Sequence, residues 1–67
     1  MSSVQLNGQT CAVAGMTLVE VLAWRNVRRI RGVAIAVNDA VIPSSAWGET
    51  RLRDGDSVEI VTLIGGG

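Results

Sequence analysis

Histidine and lysine are both missing from this chain, and so are phenylalanine and tyrosine; tryptophan occurs twice, cysteine and proline once each. Without histidine there is neither the usual general base near neutral pH nor the commonest zinc ligand. Without lysine there is no Schiff-base amine, no phosphate-gripping lysine, and no side-chain amine to accept an isopeptide bond. A self-sufficient enzyme is hard to assemble from what remains, so no catalytic residue and no metal site are expected. The lone Cys11 cannot close an internal disulfide, which makes a cytoplasmic setting the expectation. No apolar run approaches the ~18 residues of a membrane span, and the opening MSSVQLNGQT lacks the basic-then-apolar order of a signal peptide, so no membrane partner is expected.

What is present suits one small domain. Of 67 residues, 48% are apolar, enough for a single core at a length near the lower limit for unaided folding. Net charge is zero but unevenly placed. In residues 1–38, Arg25, Arg28, Arg29 and Arg31 outweigh Glu20; in residues 39–67, Asp39, Glu49, Asp54, Asp56 and Glu59 outweigh Arg51 and Arg53. This asymmetry can orient a partner, yet it falls short of the broad basic surface of a nucleic-acid binder, and none is expected. The four-arginine cluster reads first as a solvated helix end, where cations suit the helix dipole, ahead of a site for phosphate or an acidic protein.

Val4 and Leu6 alternate with polar neighbours, and Asn7-Gly8 is the most favoured two-residue hairpin turn. Residues 3–13 therefore predict a hairpin, with QTCAV as the return strand. Thr17 and Glu20 have capping-box spacing, and Leu18, Val21 and Leu22 then share one face of a helix expected to end between Val27 and Arg31, with Gly32 closing the connection. In GVAIAVND, Val33, Ile35 and Val37 lie on one face of a strand and alanines on the other. Asn38-Asp39-Ala40 turns into a short strand at Val41-Ile42, which Pro43 confines to an edge or an end. Trp47 is expected to fold back as a core plug. The last strand is DSVEIVTLI.

A hairpin, one helix and further strands make an α+β fold, a mixed sheet of four to five strands with a single helix across one face. If the first and last strands pair they must run parallel, because the helix lies on the return path. That arrangement is the ubiquitin-like β-grasp, with residues 1–64 as the domain and 65–67 as a flexible tail. In the last strand Val58, Ile60, Thr62 and Ile64 form the helix-facing side, while Val61 and Leu63 make the other side apolar as well. Two explanations stand: a neighbouring loop covers Val61 and Leu63, or they form an exposed patch that docks a partner beside the tail.

Asp54-Gly55-Asp56 carries two close carboxylates, too few for a metal, and reads as a turn. Cys11, in a strand with no histidine to activate it, reads as small, buried and inert. The tail Gly65-Gly66-Gly67 is different. Glycine loses the most backbone entropy on ordering, so this end is not expected to belong to the packed fold. A carboxylate is a poor electrophile and must be activated, for instance as an acyl-adenylate, before sulfur or an amine can attack it. A tail without Cβ atoms can enter the narrow channel of an activating enzyme where side chains would clash.

The stretch from Ala36 to Trp47 (AVND, AVIP, SSAW), the DGDSVEI turn and strand from Asp54 to Ile60, and the Gly66-Gly67 end together resemble the ThiS family, the ubiquitin-like sulfur carriers of bacterial thiamine biosynthesis. The resemblance runs from Val4 to Gly67. It implies that an E1-like enzyme, ThiF, uses ATP and Mg²⁺ to adenylate the terminal carboxylate, that sulfur from a donor protein replaces AMP, and that thiazole synthase, ThiG, takes that sulfur. No bound cofactor is expected in the carrier itself. Carried over, Gly67 is the modified residue, Gly65 and Gly66 enter the partner's active site, and Val61, Leu63 and Ile64 contact the partner. Relatives often have a basic residue after the proline, where this chain has Ser44. The alternative is the small subunit of molybdopterin synthase, or a related carrier, lodged in one large partner subunit.

Overall fold

The computed structural model describes residues 3–27 and 31–62. Two hairpins of the same design frame it. Strands β1 (Val4–Leu6) and β2 (Gln9–Cys11) pair antiparallel around Asn7 and Gly8, both at positive φ (50° and 80°). Strands β3 (Val33–Val37) and β4 (Ala40–Ile42) pair around Asn38 and Asp39, again both positive (51° and 69°). Two successive left-handed residues give a turn whose twist matches that of the strands, and Asn, Asp and Gly reach this region at least cost. The final strand, β5 (Ser57–Thr62), inserts between the hairpins, so the sheet order is β2-β1-β5-β3-β4. It runs parallel to β1 and antiparallel to β3. As expected, the strand limited by Pro43 is an edge.

The helix α1 spans Leu18–Trp24. Its first turn is closed reciprocally: the Thr17 backbone N–H donates to Glu20 Oε1 (2.8 Å), and the Glu20 N–H donates to Thr17 Oγ1 (3.2 Å). The hydrogen bond from the Thr17 backbone, more than any other influence, holds the Glu20 carboxyl below its ordinary range. The helix ends earlier than the sequence suggests. Arg25 is the C-cap, Asn26 takes the left-handed conformation at φ 64°, and the N–H groups of Asn26 and Val27 return to the carbonyls of Ala23 and Leu22 (3.0 and 2.8 Å). This is a Schellman closure with asparagine in the usual glycine position. Val27 is half-buried and packs against the core. Gly32, at φ 77°, belongs to the later turn into β3.

One face of the sheet and the inner face of α1 enclose the core: Val4, Leu6, Val13, Leu18, Val21, Leu22, Ile35, Trp47, Leu52 and Val58. Each such side chain contributes about 1.5–3 kcal/mol by burial, and a chain this short depends on nearly all of them. Trp47 follows the 3₁₀ turn Ser44–Ala46 and plugs the open end of the core, with its Nε1–H donating to the Ile42 carbonyl (2.8 Å). Three further expectations need correction. The second strand stops at Cys11, although Val13 beyond it is fully buried, and Cys11 is half-buried rather than buried because β2 is a sheet edge. Thr62 lies in helix-facing register opposite Val33 but is exposed. No described helix is long and apolar enough to cross a membrane.

Candidate functional site

The centre of the sheet determines where the end of the chain emerges. β5 is held on one side by β3 along its length, from Val37↔Val58 to Val33↔Thr62. On the other side β1 pairs only through Gln5↔Ser57 and Leu6↔Val58 before the Asn7-Gly8 turn carries the chain away. A side chain takes over there. Asn7 Oδ1 accepts from the Ile60 N–H (2.8 Å), and Asn7 Nδ2 donates to the Ile60 carbonyl (3.2 Å), after the Asn7 N–H has donated to the Val58 carbonyl (2.9 Å). One carboxamide thus satisfies both backbone groups of a residue that the neighbouring strand has left behind.

Period-two alternation turns Val61 away from the core. It is 46% exposed, and across the ladder it faces Ala34. One row further on, Ala36 lies between Glu59 and Val41, and Val41 is 75% exposed. The outer sheet face therefore carries an apolar band over three strands, with the two alanines as a low floor between the two valines. Gln5, Thr10, Ser57 and Glu59 make the rest of this face polar, and a shallow depression lined by Asn7, Gly8, Ser57, Glu59, Ile60 and Val61 borders the band. Of the two explanations for an apolar Val61, the covering loop is not the one observed.

Leu63, Ile64, Gly65, Gly66 and Gly67 lie outside the described residues, as do Arg28 and Arg29. Arg25 and Arg31 are exposed, Arg25 at the C-cap of α1. The Asp54-Gly55-Asp56 segment is a turn whose carboxylates are taken up within the fold: Asp54 Oδ1 accepts from the Ser3 N–H (2.6 Å), Asp56 Oδ2 from the Arg53 N–H (2.8 Å) and Asp56 Oδ1 from the Asn38 side-chain Nδ2 (3.0 Å). Residue patterns alone missed Val41 and Asn7. Alternation puts the alanines of β3 on the outer face, but only the β3–β4 register sets Val41 beside them. Asn7 announces a turn, and nothing local announces its second contact 53 residues away.

Comparisons with known proteins agree on one family. The ThiS family model matches residues 4–67. The chain is similar to a sulfur carrier protein ThiS of Thermus thermophilus, 41% identical over 64 residues, covering 96% of this chain and 98% of that protein. A crystal structure of a thiamine biosynthesis protein (ThiS) from Geobacter metallireducens superposes with a TM-score of 0.81 at 28% identity, covering 97% of this chain and 99% of that one. The chain is also 34% identical over 62 residues to a thiazole synthase of Paramagnetospirillum magneticum, where 92% of this chain corresponds to 19% of the larger protein.

Proposed function

The chain belongs to the ThiS family, and we propose from that membership that Gly67 carries sulfur on its terminal carboxylate. It is a sulfur carrier of thiamine biosynthesis, a small protein that supplies sulfur to an enzyme. The observation that supports Gly67 most directly is the extent of the match, which continues from Val4 through the three glycines to the last residue. The carboxylate oxygen attacks the α-phosphorus of ATP on an E1-like, ThiF-like enzyme, with Mg²⁺ held there, and pyrophosphate leaves. A sulfide-level nucleophile from a sulfur donor protein then adds to the acyl carbon, and AMP leaves to give the thiocarboxylate. The carrier supplies no acid or base to either step. Its own contributions are a tail without Cβ atoms at Gly65 and Gly66, which fits a narrow channel, and a surface that docks.

That surface is the band of Val61, Ala34, Ala36 and Val41, and Leu63 and Ile64, which lie outside the described residues, are its further proposed partner contacts. Its occupant is first the adenylating enzyme and then a thiazole synthase (ThiG-like). The similarity to one segment of a thiazole synthase supports the second partner, because a carrier-like segment and the synthase occur there in one polypeptide. A molybdopterin synthase large subunit, the partner in the other reading, is disfavoured by relatives that are ThiS carriers. Intact-mass measurement tests the proposal. With a ThiF-like enzyme, ATP, Mg²⁺ and a sulfur source, the chain should first gain AMP and then show one oxygen replaced by sulfur at its C-terminus. Failure of cognate enzymes to produce either species would remove the carboxylate from the mechanism.

A further inference from the structure

We infer that Asn7 is a positioning residue for the reaction at the tail: its carboxamide fixes the direction in which the chain leaves the sheet. The inference rests on the sulfur-carrier reading above. By alternation, the backbone groups of Val58, Ile60 and Thr62 point into the lane that β1 occupies only as far as Leu6. Asn7 fills the next place in that lane with two hydrogen bonds to Ile60. The N–H and C=O of Thr62 point the same way and have no partner there among the described residues. Among the described residues Asn7 is therefore the last restraint on that edge of β5, while the other edge stays bound to β3 up to Thr62.

With one edge held by β3 as far as Thr62 and the other held beyond Val58 by one carboxamide among the described residues, loss of that carboxamide releases the end of β5 asymmetrically. The strand can then swing about its β3 ladder. Five residues separate Thr62 from the end of Gly67, a reach of at most about 17 Å. A swing of the end of β5 displaces the root from which the last residues must reach a partner's active site, and misplacements of about 1 Å are already costly where reacting atoms must align. Docking need not suffer, because Ala34 and Val41 stand on β3 and β4 and Val61 stays paired with Ala34 across the β3 ladder. The contact is also separable from the turn. Asn7→Gly retains a residue at home at positive φ and removes only the carboxamide. Asn7→Asp tolerates the same φ and keeps the acceptor for the Ile60 N–H, but loses the donor to its carbonyl.

The experiment uses the full chain with a ThiF-like enzyme and follows ATP–pyrophosphate exchange at varied carrier concentration. For Asn7→Gly, kcat should fall about tenfold while KM stays within about twofold, and Asn7→Asp should recover part of the loss. Amide exchange at Ile60 should quicken in Asn7→Gly, with melting still cooperative. Asn26→Ala, which weakens the molecule at the far end of α1, serves as the stability control and should leave kcat unchanged. An unaltered kcat in Asn7→Gly, or an equal fall in Asn26→Ala, would overturn the inference. A wild-type chain that supports no exchange would instead count against the sulfur-carrier reading.

Discussion

Glu20 holds the start of α1 through a carboxylate oxygen, and that contact carries a pH signature. Its carboxyl is lowered in the folded state, first by the Thr17 backbone hydrogen bond and then, against some desolvation, by the Thr17 hydroxyl contact and Arg51. A group whose folded value lies below its unfolded one contributes stability above the unfolded value, about 4.3 for glutamate, and loses it as the pH falls through the folded value. Glu20→Gln can still close the capping box but cannot ionise. The melting difference between wild type and Glu20→Gln should therefore be present at neutral pH and should close as the pH drops below about 4. A difference that persisted unchanged in acid would show that packing, not the carboxylate, separates the two. Trp47 makes a different contribution, since it both fills the core and satisfies the Ile42 carbonyl. Trp47→Phe removes volume and leaves that carbonyl unpaired, a loss of about 2 kcal/mol. In a domain of this size thermal denaturation should register it as a fall of roughly 8–16 °C. A fall of only a degree or two would mean that Ile42 finds water and the cavity collapses.

The two hairpins and the start of α1 are readable from short sequence runs because their determinants are local: Asn-Gly, Asn-Asp, and Thr and Glu three apart. The end of α1 is not. Arginines and Ile30 continue the chain beyond Trp24 without an obvious stop, and Gly32 is the conspicuous terminator. Asn26 stops the helix first, since asparagine tolerates the left-handed state almost as glycine does and frees the two returning N–H groups. Asn26→Gly should leave the melting temperature unchanged or slightly raised, whereas Asn26→Ala should cost about 1–2 kcal/mol for the same backbone state. If alanine were as good as glycine here, the Schellman closure would not be what ends α1. The candidate site divides in the same way. Val61 is legible as an outward apolar residue from alternation within β5. Val41 joins it only when the local β3–β4 hairpin is combined with the long-range pairing of β3 with β5, and Asn7 only through the parallel pairing of β1 with β5, and neither long-range pairing is contained in a window of sequence.

Across the molecule, packing and chemistry are kept apart. Among the described residues every fully buried side chain belongs to the one core that packs against α1, while the proposed docking band lies on the opposite sheet face and the proposed reacting carboxylate is that of Gly67, beyond Thr62 in sequence. Deleting Gly65 to Gly67 removes no side chain from the core, so melting should be almost unchanged while sulfur transfer is lost; a truncated chain melting many degrees lower would make the tail structural. Gly66→Val should likewise spare the fold and block adenylation, because a β-branched side chain both stiffens and widens the tail. The docking band admits the most direct separation of stability from function. Val61 is 46% and Val41 75% exposed, so a carboxylate at either position remains in water and costs little folding energy. At an interface the same carboxylate is desolvated against an apolar partner surface, and interface anchors of this kind are worth about 2 kcal/mol or more. Val61→Asp should therefore keep the wild-type melting temperature within a few degrees and weaken binding to the adenylating enzyme by roughly thirtyfold, as measured by titration calorimetry. Val41→Asp tests the outer limit of the band, which alternation in β5 could not foresee. Unchanged affinity in Val41→Asp would confine docking to β5 and the tail, and unchanged affinity in both variants would move the docking surface to another face of the molecule.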